Sequence, residues 1–216
     1  MNPAILAGQR DYYAASLAAH GPGARGVDWN GAESQARRFA QFLRLLEGQP
    51  EASVLDLGCG CGDLLPFLRA AGHRGPYQGW DLAPEMVAAA RARHGEGPGH
   101  AFHLGAVPAA AADFALASGV LHVKGAVGEA EWAAHAAAVQ EVLAGCGRRG
   151  FGWNMLSRCS DPGRRRPHLF YADPVEELGR CLGRFGRHVA LLQDYGLWEF
   201  TLLVRRGEVA APPVPS

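Results

Sequence analysis

The stretch "VLDLGCGCGDLL", residues 54–65, constrains the fold of this chain more than any other. A short apolar run carries one acidic residue, Asp56, then loses its side chains at alternate positions, Gly58, Gly60 and Gly62, before a second apolar run begins. A run so short and so apolar suits a strand in the middle of a parallel sheet, covered on both faces. The segment after the glycines, "DLLPFLRAAG", reads as a helix, with Pro66 in the first turn and Gly72 as its stop. Glycines between a buried strand and a helix allow positive φ and let a ligand lie close to the main chain, at the carboxyl edge of the sheet. That points to a nucleotide-like ligand.

The rest of the chain repeats the alternation. "ESQARRFAQFLRLLEG" predicts a preceding helix, because Phe39, Phe42, Leu43 and Leu46 recur at three- and four-residue spacing. "PYQGWDL" reads as a second strand, and its Asp81 falls 25 residues after Asp56, near the spacing at which an acid takes ribose hydroxyls. "APEMVAAARARHG" is a helix with Pro84 preset for its first turn, and strands follow at 101–104 and 113–118. A helix from Glu129 to Ala144, a strand in "GFGWNML", a helix around "DPVEELGRCLGRF" and two strands in "RHVALLQDYGLWEFTLLVRR" complete the series. This order predicts an α/β fold: a mostly parallel sheet with helices on both faces and a C-terminal antiparallel hairpin. Residues 1–32 read as an irregular arm or lid, 33–206 as one domain, and 207–216 as a disordered tail.

Composition narrows the partners. With 21 basic and 21 acidic residues the net charge is zero, so no long-range field draws the chain to nucleic acid or to an anionic membrane. No signal-peptide pattern and no stretch long enough for a membrane span is present, which predicts a cytoplasmic protein. Cys59 and Cys61 lack a second nearby pair, so no metal site is expected. Lys124 is the only lysine.

"LDLGCGCG" and "GWDLAPEMVAAAR" resemble the first and second motifs of the class I methyltransferases that use S-adenosylmethionine (SAM). The resemblance covers about residues 33–206. It implies a Rossmann-like seven-stranded sheet, SAM as cofactor and S-adenosylhomocysteine (SAH) as product. "VDWNGAESQARRF", "ASGVLHVK", "GFGWNML", "FYADP" and "DYGLWEFT" further resemble a bacterial group of such enzymes. Carried over by position, Gly58, Gly60 and Gly62 would face the methionine part of SAM, Asp56 would orient the loop, and Asp81, followed by Leu82, would hold the ribose. Many relatives place an acid beside the adenine after the third strand. This chain reads "HLGAVP" there, leaving main-chain groups of Ala106 and Val107 for that contact. Ser118 joins the implied cofactor set, and Arg38 can pair with the SAM carboxylate or belong to a solvated helix face.

Methyl transfer asks the protein to align, desolvate and sometimes deprotonate a nucleophile. The segment after the fourth strand, "SGVLHVKG", offers His122 as a base, or as a histidine that only caps backbone. Lys124 can bind a substrate anion or contact the next helix. Trp153 and Asn154 can line the pocket or, for Trp153, fill the core. Tyr13 and Trp29, with Tyr12, can form a lid or pack an N-terminal arm, and Tyr171 is a further pocket candidate.

The resulting expectation is methyl transfer to an oxygen or nitrogen of a small molecule. An Asn/Asp-Pro-Pro-Tyr motif, usual in enzymes that methylate amino groups of nucleic acid or glutamine, is replaced by "ASGV". A short-chain dehydrogenase would need a tyrosine four residues before a lysine, where this chain has Val120 before Lys124. A SAM-binding sensor or scaffold without catalysis and an aminopropyltransferase are the competing readings. The paired acids of the latter are not evident near "ASGVLHV".

Overall fold

A computed structural model describes residues 1–23, 26 and 31–207. The helices and strands run α1 Pro3–His20, α2 Ala32–Leu46, β1 Val54–Leu57, α3 Leu64–Ala70, β2 Tyr77–Asp81, α4 Pro84–His94, β3 His100–Leu104 and β4 Ala112–Ala117. They continue with α5 Glu129–Cys146, β5 Gly147–Ser157, β6 Tyr171–Ala172, α6 Pro174–Phe185, β7 Val189–Leu192 and β8 Glu199–Arg205.

One sheet carries all eight strands in the order β3-β2-β1-β4-β5-β8-β7, with the two-residue β6 beside the end of β5. Strands β1 to β5 are parallel, and β8 enters antiparallel between β5 and β7. This is the Rossmann-like, mostly parallel sheet with a C-terminal hairpin that the order of elements predicts, with β6 as a short addition. The strand order reverses between β1 and β4, so the crevice at their carboxyl ends is where an open α/β sheet binds ligands.

The period of two in each strand sorts the core. In β4, Phe114 and Leu116 face α2, α3 and α4, while Ala115 and Ala117 face α5. In β5, Phe151, Trp153 and Met155 take the α5 and α6 side. Gly150 takes the other, where a Cβ would come within 3.1 Å of Leu45 in α2. Phe42 and Leu45 are fully buried in that contact, worth about 1.5–3 kcal/mol each.

One expectation changes. Residues 3–20 are not an irregular arm but the 18-residue helix α1. Asn2 starts it by accepting from the Ala4 amide at 2.9 Å, with Pro3 in the first turn. Its many alanines carry little amphipathic pattern, so periodicity does not reveal it. Trp29 and all but the first residue of the expected tail 207–216 lie outside the described residues. No helix among the described residues is long and apolar enough to cross a membrane.

Candidate active site

The glycine loop is held by the strand beside it. Gly58 and Cys59 both donate their amides to the Trp80 carbonyl, at 2.7 and 3.0 Å. The Gly60 amide donates to Asp81 Oδ2 at 2.9 Å, and the Ala83 amide to Asp81 Oδ1 at 2.9 Å. These loop amides are therefore engaged by the protein, and what the loop offers a ligand is mainly close approach to Cα atoms. Gly58 has φ +72°, and a Cβ there would stand 2.0 Å from Val120 Cγ1. Gly62, at φ +79°, makes room instead for the Phe102 ring, which a Cβ at that position would meet at 2.8 Å. Burial raises the pKa of Asp81, and the Ala83, Gly60 and Leu82 amides hold it back.

Asp56 accepts from the Tyr77 hydroxyl at 2.6 Å, and burial pushes its pKa up to about 7. The loop is thus tied by Asp81 rather than by Asp56.

Beside this loop lies a cavity of about 940 Å³, its open mouth included. Its walls combine Asp56, Gly58 and Gly60 with Asp81, Leu82 and Ala106 at the strand ends, and Ser118 after β4. Phe39 of α2 and His135 of α5 also reach it. Helix α1 closes one side with Leu6, Gln9 and Tyr13. Gln9 donates to the Val120 carbonyl at 2.9 Å and Tyr13 to the Gly119 carbonyl at 3.4 Å, so α1 is fastened to the segment after β4.

The remaining candidates lie elsewhere. Arg38 is buried and donates through Nε to Glu199 Oε2 at 2.7 Å. Burial raises the Glu199 pKa and the Arg38 charge opposes the rise. Asn154 joins the same cluster: its Oδ1 accepts from the Gly119 amide at 2.8 Å and its Nδ2 donates to Glu199 at 3.4 Å. It positions the loop after β4 rather than lining the cavity.

His122, expected as a base, is 6% exposed and stands behind the wall. Burial and then the Arg38 charge lower its pKa to about 3, against a hydrogen bond with the Asn154 main chain. Trp153 is fully buried and stacks on Phe151 with ring centroids 5.9 Å apart. Lys124 reaches Glu129 at 3.6 Å and the Val127 carbonyl at 3.4 Å, as a contact to the start of α5. The Tyr171 hydroxyl accepts from the Arg166 amide at 3.0 Å, in the segment before β6. Val107 is 62% exposed and outside the wall.

Sequence reasoning named Tyr13 of α1, which lines the cavity, but passed over His135, Leu6 and Gln9. The signal for His135 is a histidine on the sheet-facing stripe of α5, between Trp132 and Val139. For α1 it is the Asn-Pro start.

A glycine loop tied to an acidic strand end at the switch point of a parallel sheet is the arrangement at which open α/β folds bind their ligands. The family described as "Methyltransferase domain" matches residues 54–147. "Putative methyltransferase Rv1506c" of Mycobacterium tuberculosis is 42% identical over 165 residues, which is 76% of this chain and 99% of that protein. A trans-aconitate 2-methyltransferase of a Mycobacterium species is 43% identical over 65 residues, 29% of this chain and 24% of that enzyme. The structure of magnesium protoporphyrin IX methyltransferase from Synechocystis PCC 6803 with bound SAM superposes with TM-score 0.65 at 17% identity, covering 96% of this chain and 100% of that one. This chain belongs to the class I SAM-dependent methyltransferases.

Proposed function

We propose that the chain transfers the methyl group of SAM to an oxygen or nitrogen of a small molecule inside the cavity beneath α1. The observation that carries this reading is that one cavity is walled jointly by the glycine loop, the β2 end and the segment after β4. At its other side it is walled by apolar residues and a histidine from α1 and α5. Such a cavity has one side suited to a nucleoside and another to a second reactant.

The residues present fit SAM. Asp81 retains acceptor capacity for ribose hydroxyls beside its two amide bonds. Leu82 and Ala106 flank the place of the adenine, and Gly58 and Gly60 admit the methionine part. Asp56, Asp63 and Asp81 line the cavity with Met1, and Asp63 is paired with Arg93 at 2.7 Å, so the carboxylates on the strand-end side provide the partners for a sulfonium and ammonium ligand. When bound, SAM supplies an activated methyl carbon whose leaving group is a neutral thioether. The chain aligns the acceptor on the carbon–sulfur axis and excludes water with α1, and the proton the acceptor loses passes to solvent after its new bond to carbon has formed.

The test is calorimetric titration with SAM and SAH, followed by a screen for transfer of labelled methyl to small molecules. Micromolar binding of both, with transfer, is the expected result. Binding without transfer to any acceptor would favour the sensor or scaffold reading. No binding by folded protein would overturn the reading altogether.

A further inference from the structure

The roles assigned above leave His135 without a task. It is 4% exposed, it lines the cavity, and neither ring nitrogen has a hydrogen-bond partner among the described residues. Its ring packs 5.1 Å from that of Trp132, on the stripe of α5 that also buries Ala136, Val139 and Leu143. An imidazole held this way leaves a buried donor and a buried acceptor unmatched unless something in the cavity completes them. Ser118 Oγ, in the same wall, is buried and likewise has no partner among the described residues.

The same cavity wall includes the apolar Leu6, Val120 and Val139, with Met1 also lining it. Burial and then the Met1 ammonium lower the His135 pKa, so at neutral pH the ring is uncharged and has one donor and one acceptor nitrogen. Asp56 and Asp81 share the cavity with Met1, and Asp63 is paired with Arg93 at 2.7 Å.

We propose that His135 binds the methyl acceptor, hydrogen-bonding an uncharged hydroxyl or amino group of a small, otherwise apolar molecule, and that this wall selects such molecules over carboxylates. The proposal deepens the methyltransferase reading and rests on it. An acceptor of this class satisfies the imidazole and fills the apolar wall without taking a charge out of water. A carboxylate would lose its hydration there against a neutral ring.

The experiment uses the full chain saturated with SAH and two probes of similar size, phenol and benzoate. The His135 ring resonances, assigned by their loss in His135→Gln, are followed by NMR during titration. Phenol is expected to shift them and benzoate to leave them in place. His135→Phe is expected to weaken phenol about tenfold while SAH affinity stays within about twofold. His135→Gln keeps a donor and an acceptor, and is expected to retain most of the phenol affinity. It also serves if the phenylalanine variant does not fold. Absence of a phenol shift, equal response to benzoate, or phenol binding unchanged in both variants would overturn the proposal with SAH binding intact. Failure of the wild-type chain to bind SAH would instead overturn the methyltransferase reading, and the proposal with it.

Discussion

The Gly60 amide and the Asp81 carboxylate meet at 2.9 Å, so the residue that ends β2 also fixes the shape of the glycine loop after β1. One side chain thereby serves the loop and the ligand site together. Replacing it removes an acceptor from two buried amides and from the ribose hydroxyls. Asp81→Ala is expected to lower SAM affinity at least tenfold, about 1.4 kcal/mol, and to lower stability by about 1–3 kcal/mol. Calorimetry and urea denaturation measure the two effects separately, and Asp81→Asn, which keeps one oxygen, should fall between.

The contact between Gly58 and Val120 gives a test of close approach. Gly58→Ala places a methyl group in a positive-φ conformation and against Val120 Cγ1. It is expected to cost about 1–3 kcal/mol and to weaken SAM. Adding Val120→Ala should restore the part due to the clash and leave the backbone strain, a coupling readable in a double-mutant cycle.

Acid stability follows from two buried groups of opposite sign. The folded His122 pKa lies at about 3 against an ordinary 6.5. The unfolded chain therefore takes up that proton first, and stability falls as pH drops from about 6.5 towards 3. Asp56 is held at about 7 against 3.8, so its contribution is full at low pH and is lost as pH rises through that window. The two offset each other between about pH 4 and 6.5. In His122→Gln the Tm should rise relative to that of the wild type as pH falls from about 6.5 to 4.5, since only the Asp56 contribution remains of the two. A pH dependence equal to that of the wild type would contradict the burial of a neutral ring.

The Arg38–Glu199 pair predicts an asymmetric response. Glu199→Ala removes the carboxylate from a buried guanidinium and is expected to cost about 3–5 kcal/mol. Arg38→Met combined with Glu199→Leu should recover much of that, though Asn154 and Tyr195 also lean on Glu199. Urea midpoints of the single and double variants measure the difference.

Much of the architecture is written in local patterns. The glycines after β1, the acid ending β2 and the alternation of strands and helices each depend on a few neighbouring residues, so they are readable one segment at a time. Trp153 shows how far such reading reaches: Phe151, Trp153 and Met155 share a period of two, which sends all three to the α5 and α6 face of the sheet. Asn154, one residue on, faces α2 for the same reason, and only the fold reveals that Glu199 and the Gly119 amide wait for it. His122 and His135 are alike in sequence, each a histidine near the carboxyl end of β4 or in the helix after it. Which one reaches the cavity depends on α2 and Arg38 crowding the first and on α1 leaving the second exposed to the cavity. Those are contacts between segments far apart in the chain.

The buried pair on the α2 face also has a consequence for synthesis. Arg38 and Glu199 are separated by 161 residues, and β8 is inserted between β5 and β7 rather than added at an edge. While the chain emerges from a ribosome, the guanidinium must stay in water and β5 must keep an open edge until β8 is made. The residues that line the cavity all precede Glu199, so a copy stopped short of residue 199 would carry the cofactor motifs but leave Arg38 and Asn154 without the carboxylate they share.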